Sequence, residues 1–108
     1  MPYMKRPQTA EQYVEMIEQA IIEVQEMRAS LEYDMEGADA QQDTILEPLE
    51  RALTQLRQSM ADGDYHFENK DLPFMELVKR YRSKLPIAEL LATINRTHRE
   101  GLDANGED

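Results

Sequence analysis

The fold is decided by residues 10–36, which read AEQYVEMIEQAIIEVQEMRASLEYDME. Apolar side chains recur in this stretch every three or four residues, as they do on one face of an α-helix. They stand at Tyr13, Ile17, Ala20, Val24, Met27, Leu31 and Met35. Thr9 and Gln12 match a capping box, which marks a helix start, and Gly37 suits the C-terminal cap. The sequence therefore predicts a first helix over residues 10–36.

A second helix is predicted over residues 42–61, because the apolar residues of this stretch share one stripe. The stripe consists of Ile45, Leu49, Ala52, Leu53, Leu56 and Met60. If Thr44 is the N-cap, with Glu47 three residues later, Pro48 falls at the edge of the first turn. Two long amphipathic helices that are separated by so few residues fold back as an antiparallel hairpin.

Two shorter helices are predicted over residues 72–84 and 87–100. Asp71 followed by Pro73 is typical of a helix start. Pro86 ends the third helix, because the residue before a proline is pushed out of helical geometry. Helices of this length are not stable alone, so we expect both to pack across the hairpin.

Together these helices predict a single all-α domain over residues 1–108, with a four-helix, bundle-like arrangement. The short polar ends, residues 1–8 and 102–108, are expected to be flexible. Apolar burial decides the arrangement, because burying one Leu or Ile stabilises a protein by roughly 1.5–3 kcal/mol. An exposed ion pair contributes only about 0–1 kcal/mol.

The chain is strongly acidic. Its 108 residues include 22 Asp and Glu against 12 Lys and Arg, a net charge of −10. Such a protein is repelled by phosphate backbones, which argues against nucleic acid as a partner. The absence of Cys excludes disulfides and thiolate metal sites. No apolar run is long enough for a membrane span or a secretory signal, so we expect a cytoplasmic protein without a membrane partner.

No cofactor or metal is expected from the motifs. Neither His66 nor His98 has a Glu three positions earlier, the spacing found in di-iron bundles. Asp62, Asp64 and His66 imitate the start of an EF-hand loop, but Phe67 occupies the position that requires glycine. The four glycines are too far apart in the sequence to form a phosphate-binding loop.

The segment between the second and third helices lacks a helical period and carries aromatic residues. Tyr65 and Phe67 alternate with polar residues, so one side of the segment can cover the hairpin. Aromatic side chains carry much of the contact energy of interfaces. His98 lies on the apolar stripe of the fourth helix and in its last turn. The candidate residues for contact with a partner or small ligand are Tyr65, His66, Phe67, Phe74, Tyr81 and His98.

Three further apolar residues, Val14, Ile22 and Leu46, lie at or beyond the margins of the predicted stripes. A second apolar edge on a long hairpin often closes against a copy of itself with two-fold symmetry. We therefore expect a homodimer, with these residues at its contact.

The expected function is protein–protein contact, as a regulatory or accessory protein whose partner the sequence does not identify. One alternative is an acidic mimic of nucleic acid that occupies the basic groove of a DNA- or RNA-binding partner. Its complex would weaken steeply with ionic strength. The other alternative is a metal-dependent or histidine-based enzyme that uses His66 or His98 with carboxylates of the first helix.

Overall fold

The structure, a computed structural model, describes residues 5–33 and 40–104, with side chains described for 5–30, 45–83 and 85–104. These residues form four α-helices and one short 3-10 helix, and they include no strand. The helices are α1 (Ala10–Tyr33), α2 (Ala40–Ala61), α3 (Met75–Arg80) and α4 (Ala88–Glu100), with the 3-10 helix at Arg82–Lys84. The predicted all-α fold is confirmed.

Helix α1 begins at the predicted capping box. The backbone N–H of Gln12 donates to Oγ1 of Thr9 at 3.1 Å. In return, Oε1 of Gln12 accepts from the N–H groups of Gln8 at 2.8 Å and Thr9 at 3.3 Å. These bonds satisfy N–H groups that the first turn of a helix leaves without partners. The predicted helix end and the cap at Gly37 lie outside the described residues.

Helices α1 and α2 form the predicted antiparallel hairpin. Glu18 pairs with Arg57 at 2.7 Å, and Arg28 further along α1 pairs with Glu50 at 2.8 Å. Residues later in α1 pair with residues earlier in α2, so the two helices run in opposite directions. Their facing stripes join residues of α3, α4 and the connecting segments in one core. It contains Tyr13, Ile17, Ala20, Val24, Ile45, Leu46, Leu49, Leu53, Leu56, Leu72, Phe74, Met75, Val78, Leu85, Ile87, Ala88, Leu90, Leu91 and Ile94.

Helix α2 starts earlier than predicted and therefore contains Pro48 in its interior rather than in its first turn. Proline has no backbone N–H, so α2 lacks one of its internal hydrogen bonds at this point. The core also takes in Leu46, which is only 2% exposed. This burial corrects the expectation that Leu46 lies at a free edge, since both Ile45 and Leu46 pack inward.

Helix α3 is shorter than the predicted range of 72–84. The N–H of Leu72 donates to Oδ1 of Asn95 at 2.7 Å, so this residue is held by α4 rather than by a helical turn. Asp71 does not cap α3 either, because its carboxylate accepts from Lys79 at 2.8 Å and from Asn95 at 3.0 Å. After Arg80 the chain tightens into the 3-10 helix before Pro86.

The described parts of the two ends are held together, although the sequence suggested flexible ends. The N–H of Asp103 donates to the backbone oxygen of Pro7 at 2.9 Å. Arg6 donates to the backbone oxygen of Gly101 at 2.9 Å, just beyond the last turn of α4. A cation suits this position, because the C-terminal end of a helix carries partial negative charge. Gly101 ends α4 with a φ of 90°, a conformation that favours glycine.

Candidate functional site

Four ring side chains form a cluster, here called the aromatic cluster, where the segment after α2 crosses α1 and α4. Its members are Tyr13 of α1, Tyr65 and Phe67 of the segment, and His98 of α4. The rings of Tyr13 and Phe67 are stacked, with centroids 5.9 Å apart. Tyr65 meets the ring of Phe67 edge-on at 5.4 Å and is tilted against the ring of His98 at 5.6 Å. Such offset and edge-on pairs add to the stabilisation from apolar burial.

Hydrogen bonds link three members of the aromatic cluster to the backbone of α4. Tyr13 donates its hydroxyl to the backbone oxygen of Ile94 at 3.1 Å. The hydroxyl oxygens of Tyr13 and Tyr65 are 3.1 Å apart, and the hydroxyl of Tyr65 is 2.7 Å from Nδ1 of His98. The N–H of Glu68 donates to the backbone oxygen of His98 at 3.1 Å, which holds the segment against α4.

The number of hydrogens available to this series of hydrogen bonds assigns the tautomer of His98. Three contacts in this series each need one hydrogen: Ile94 with Tyr13, Tyr13 with Tyr65, and Tyr65 with His98. The two tyrosine hydroxyls supply only one hydrogen each. If each of the three contacts uses its own hydrogen, Nδ1 of His98 supplies the third and donates to Tyr65. The neutral imidazole then keeps its lone pair on Nε2, an assignment that follows from the network of partners.

Burial shifts the titration of each polar member of this chain. It raises the pKa of the Tyr13 and Tyr65 hydroxyls, because water no longer stabilises the phenolate. Burial is also the largest cause that lowers the pKa of His98, with Lys70 acting in the same direction and the negative charge of Glu68 opposing it. The neutral imidazole is therefore favoured near neutral pH.

Two hollows lie beside the aromatic cluster, and Tyr65 lines both. The first, the apolar pocket, has a volume of about 240 Å³ and is bounded by Val14, Met60, Gly63 and Phe67. Gly63 has a φ of 77°, which lets the chain turn sharply out of α2. The second, the polar groove, has a volume of about 460 Å³, and its lining includes Asp64, Tyr65, Glu68, Lys70 and His98.

A second network of hydrogen bonds holds the end of the segment that precedes α3. The Asp71 carboxylate accepts hydrogen bonds from Lys79 at 2.8 Å, Asn95 at 3.0 Å and Arg99 at 3.2 Å. The bond from Lys79 contributes most, and together these donors lower the pKa of Asp71 to about 2. Arg99 also donates to Oδ1 of Asn69 at 3.2 Å. The segment is thus anchored to α3 and α4 at Asn69 and Asp71.

The structure brings some of the predicted contact residues together and separates others. Tyr65, Phe67 and His98 meet in the aromatic cluster, and the exposed His66 lines the polar groove. Phe74 is only 2% exposed and belongs to the core, while Tyr81 is half-buried against it.

The residues predicted for a dimer contact are also dispersed. Val14 is half-buried and lines the apolar pocket. Ile22 is 48% exposed further along α1, whereas Leu46 is in the core.

Sequence reasoning placed Tyr13 in the core and gave it no further role. Its ring does lie in the core, but its hydroxyl starts the hydrogen-bond chain. Asp71 and Asn95 were likewise not identified as a network. No local pattern could reveal these partners, because Tyr13 and Tyr65 are 52 positions apart and Asn95 and Asp71 are 24 apart.

No group of three or more His, Asp or Glu side chains within the described ranges is arranged to hold a metal ion. None of the described helices combines the length and the apolar content needed to cross a membrane. Comparison of the chain with protein-family models, curated proteins and solved structures finds no match.

Proposed function

We propose that this chain is an interaction protein that binds a protein partner through the surface formed by Phe67 and the apolar pocket. The observation that carries the proposal is the exposure of Phe67, which is 45% exposed although its ring is fixed by neighbours. Its stacking on Tyr13 and its edge-on contact with Tyr65 hold the ring in one position. A large aromatic side chain held in this way loses little freedom on binding, which favours affinity.

The apolar pocket beside Phe67 supports the same proposal. Its volume of about 240 Å³ fits one apolar side chain of a partner. Val14 and Met60 supply apolar walls, and an unbranched methionine adapts its shape to what it contacts. An exposed aromatic ring beside such a pocket is an arrangement typical of the centre of a protein interface.

The experiment compares Phe67→Ser with Ile22→Ser, because these are the two large hydrophobic residues most exposed among the described residues. Each variant is used as bait after cross-linking in cells that produce the protein, and the captured partner is quantified by mass spectrometry. We expect Phe67→Ser to reduce capture at least about tenfold, as loss of a central aromatic contact does. Ile22→Ser, which is outside the pocket, should leave it unchanged.

Both variants replace exposed side chains, so circular dichroism should show the same helix content as the unmodified protein. Capture that survives Phe67→Ser undiminished would contradict the proposal. Capture that instead falls steeply with salt and is displaced by DNA, in both variants alike, would favour the alternative of nucleic-acid mimicry.

A further inference from the structure

One ring nitrogen of His98, a residue that lines the polar groove, has no hydrogen-bond partner among the described residues. The only side-chain hydrogen bond of His98 within the described part of the chain is the one between Nδ1 and Tyr65, which leaves Nε2 without one. Every fully buried side-chain nitrogen or oxygen atom of the described residues has a hydrogen-bond partner. Nε2 therefore reaches an open space, although His98 is only 6% exposed. That space is the polar groove, which His98 lines.

The hydrogen-bond chain decides what Nε2 can bind. Because Nδ1 donates to Tyr65, Nε2 of the neutral imidazole has a lone pair and no hydrogen. It can accept a hydrogen bond from a ligand in the groove but cannot donate one. A nine-tenths buried side chain that is fixed on one nitrogen and open on the other is built to receive an N–H or O–H group.

The charges around Nε2 select among such donors. Asp64 and Glu68 line the groove and are exposed. Asp71 also lines it, but its carboxylate is already bound by Lys79, Asn95 and Arg99. The groove has one cation of its own, Lys70, which is 73% exposed and lies 3.3 Å from Glu68. Carboxylates beside a neutral acceptor favour a ligand that has N–H groups and a positive charge.

We propose that the polar groove binds the guanidinium or ammonium group of a basic side chain on the protein partner, with Nε2 of His98 as its acceptor. This inference rests on the proposed function, because the apolar pocket on the other side of Tyr65 receives an apolar side chain of the same partner. The net charge of −10 attracts such a basic segment and speeds its encounter.

The first test uses the full chain, labelled with ¹⁵N, and N-acetyl-L-argininamide as the probe. Long-range ¹H–¹⁵N correlation spectra at pH 7.5 report the state of Nε2 of His98 directly. We expect an unprotonated Nε2 in the free protein and a saturable shift of its signal with the probe. N-acetyl-L-citrullinamide, which has the same shape without the charge, should cause no such shift. A protonated Nε2 in the free neutral imidazole, or equal responses to both probes, would overturn the proposal.

Exposed variants test the role of the surrounding charges. Glu68→Gln should weaken binding of the arginine probe about two- to fivefold, the range for an exposed ion pair. Lys70→Gln should strengthen it by a similar factor, because the competing cation is removed. Glu76→Gln is the matched control, since Glu76 on α3 is 85% exposed and does not line the groove. Changes of the same sign in all three variants would contradict the proposed site.

The two proposals fail in different ways. Phe67→Ser should reduce partner capture at least about tenfold, whereas Glu68→Gln and Lys70→Gln should change binding of the arginine probe. If partner capture depends on Phe67 but the protein binds no arginine probe, the proposed function stands and the proposed site for a basic side chain is wrong. If Glu68→Gln and Lys70→Gln alter probe binding but leave the affinity for the captured partner unchanged, the groove binds free cations and the inference is wrong.

Discussion

Tyr65 is the residue on which both hollows depend. Its ring forms a wall of each, and its hydroxyl lies between Tyr13 and His98. Removal of this hydroxyl leaves Nδ1–H of His98 without an acceptor in a mostly buried position. A buried donor left without a partner costs more than the net value of the bond itself.

Tyr65→Phe should therefore lower the free energy of unfolding by about 1–3 kcal/mol, as measured by urea denaturation. Tyr81→Phe is the matched control, because the hydroxyl of this half-buried tyrosine has no hydrogen-bond partner within the described residues. It should change stability by less than about 0.5 kcal/mol. Equal losses in the two variants would show that the hydrogen-bond chain has no special role in stability.

Asp71 gives the protein a defined sensitivity to acid. Its pKa is about 2 in the folded protein, against an ordinary value of 3.8, because Lys79 and other donors stabilise the carboxylate. The depressed pKa means that Asp71 stabilises the fold fully above pH 3.8. This contribution is lost as the pH falls from 3.8 towards 2, where the folded protein also takes up the proton.

The measurement is urea denaturation of the unmodified protein and Asp71→Asn between pH 2 and about 6. The difference between their unfolding free energies should be constant at the upper end and shrink below pH 3.8. A difference that is independent of pH across this window would mean that the Lys79, Asn95 and Arg99 contacts do not act on the charge of Asp71.

The central part of α2 contributes fully buried residues to the core. Leu53 is fully buried, whereas Arg80 on α3 is 64% exposed and lies 3.7 Å from Glu76. Leu53→Ala should destabilise the protein by about 2–5 kcal/mol, through lost burial and the cavity that remains. Arg80→Ala should cost under about 1 kcal/mol. Denaturant melts of both variants test this difference, and similar losses would contradict the assignment of the core.

The helices themselves could be predicted because their signals are local. The period of apolar residues in α1 identified Tyr13, Ile17, Ala20 and Val24, which are all buried. The capping box at Thr9 needed only a four-residue pattern. By contrast, α3 starts late because Asn95 of α4 takes the N–H of Leu72, a contact across 23 positions. Such partners depend on how the helices pack, which the periodicity of each helix alone does not determine.

The candidate site was predicted in part for the same reason. The alternation of aromatic and polar residues identified Tyr65 and Phe67, and the apolar stripe of α4 identified His98. No local sequence pattern indicated that these residues contact one another. The exposure of Phe67 also differs from a simple alternating pattern, in which Tyr65 and Phe67 would be covered equally. Phe67 is exposed because its ring lies over Tyr13 at the outer edge of the core.

At the scale of the whole molecule, one prediction concerns the association of two copies of the chain. The sequence predicts a homodimer through Val14, Ile22 and Leu46, and the structure leaves the first two accessible. Light scattering after size exclusion should give the mass of a dimer, and Ile22→Ser should give that of a monomer. The mass of a monomer for the unmodified protein at high concentration would contradict this prediction. Because Ile22→Ser is expected to leave partner capture unchanged, loss of the dimer should not affect binding of the partner.

The contact between Pro7 and Asp103 couples the two ends of the described chain to the site. Pro7 precedes the turn from which Tyr13 projects, and Gly101 follows the turn that contains His98. Cutting the backbone after Glu100 would separate α4 from Gly101 and Asp103, which hold Arg6 and Pro7, and would leave Arg6 with its 3.7 Å contact to Glu100. Such a cut should therefore loosen the first turn of α1 and the last turn of α4 together, and with them the proposed binding surface.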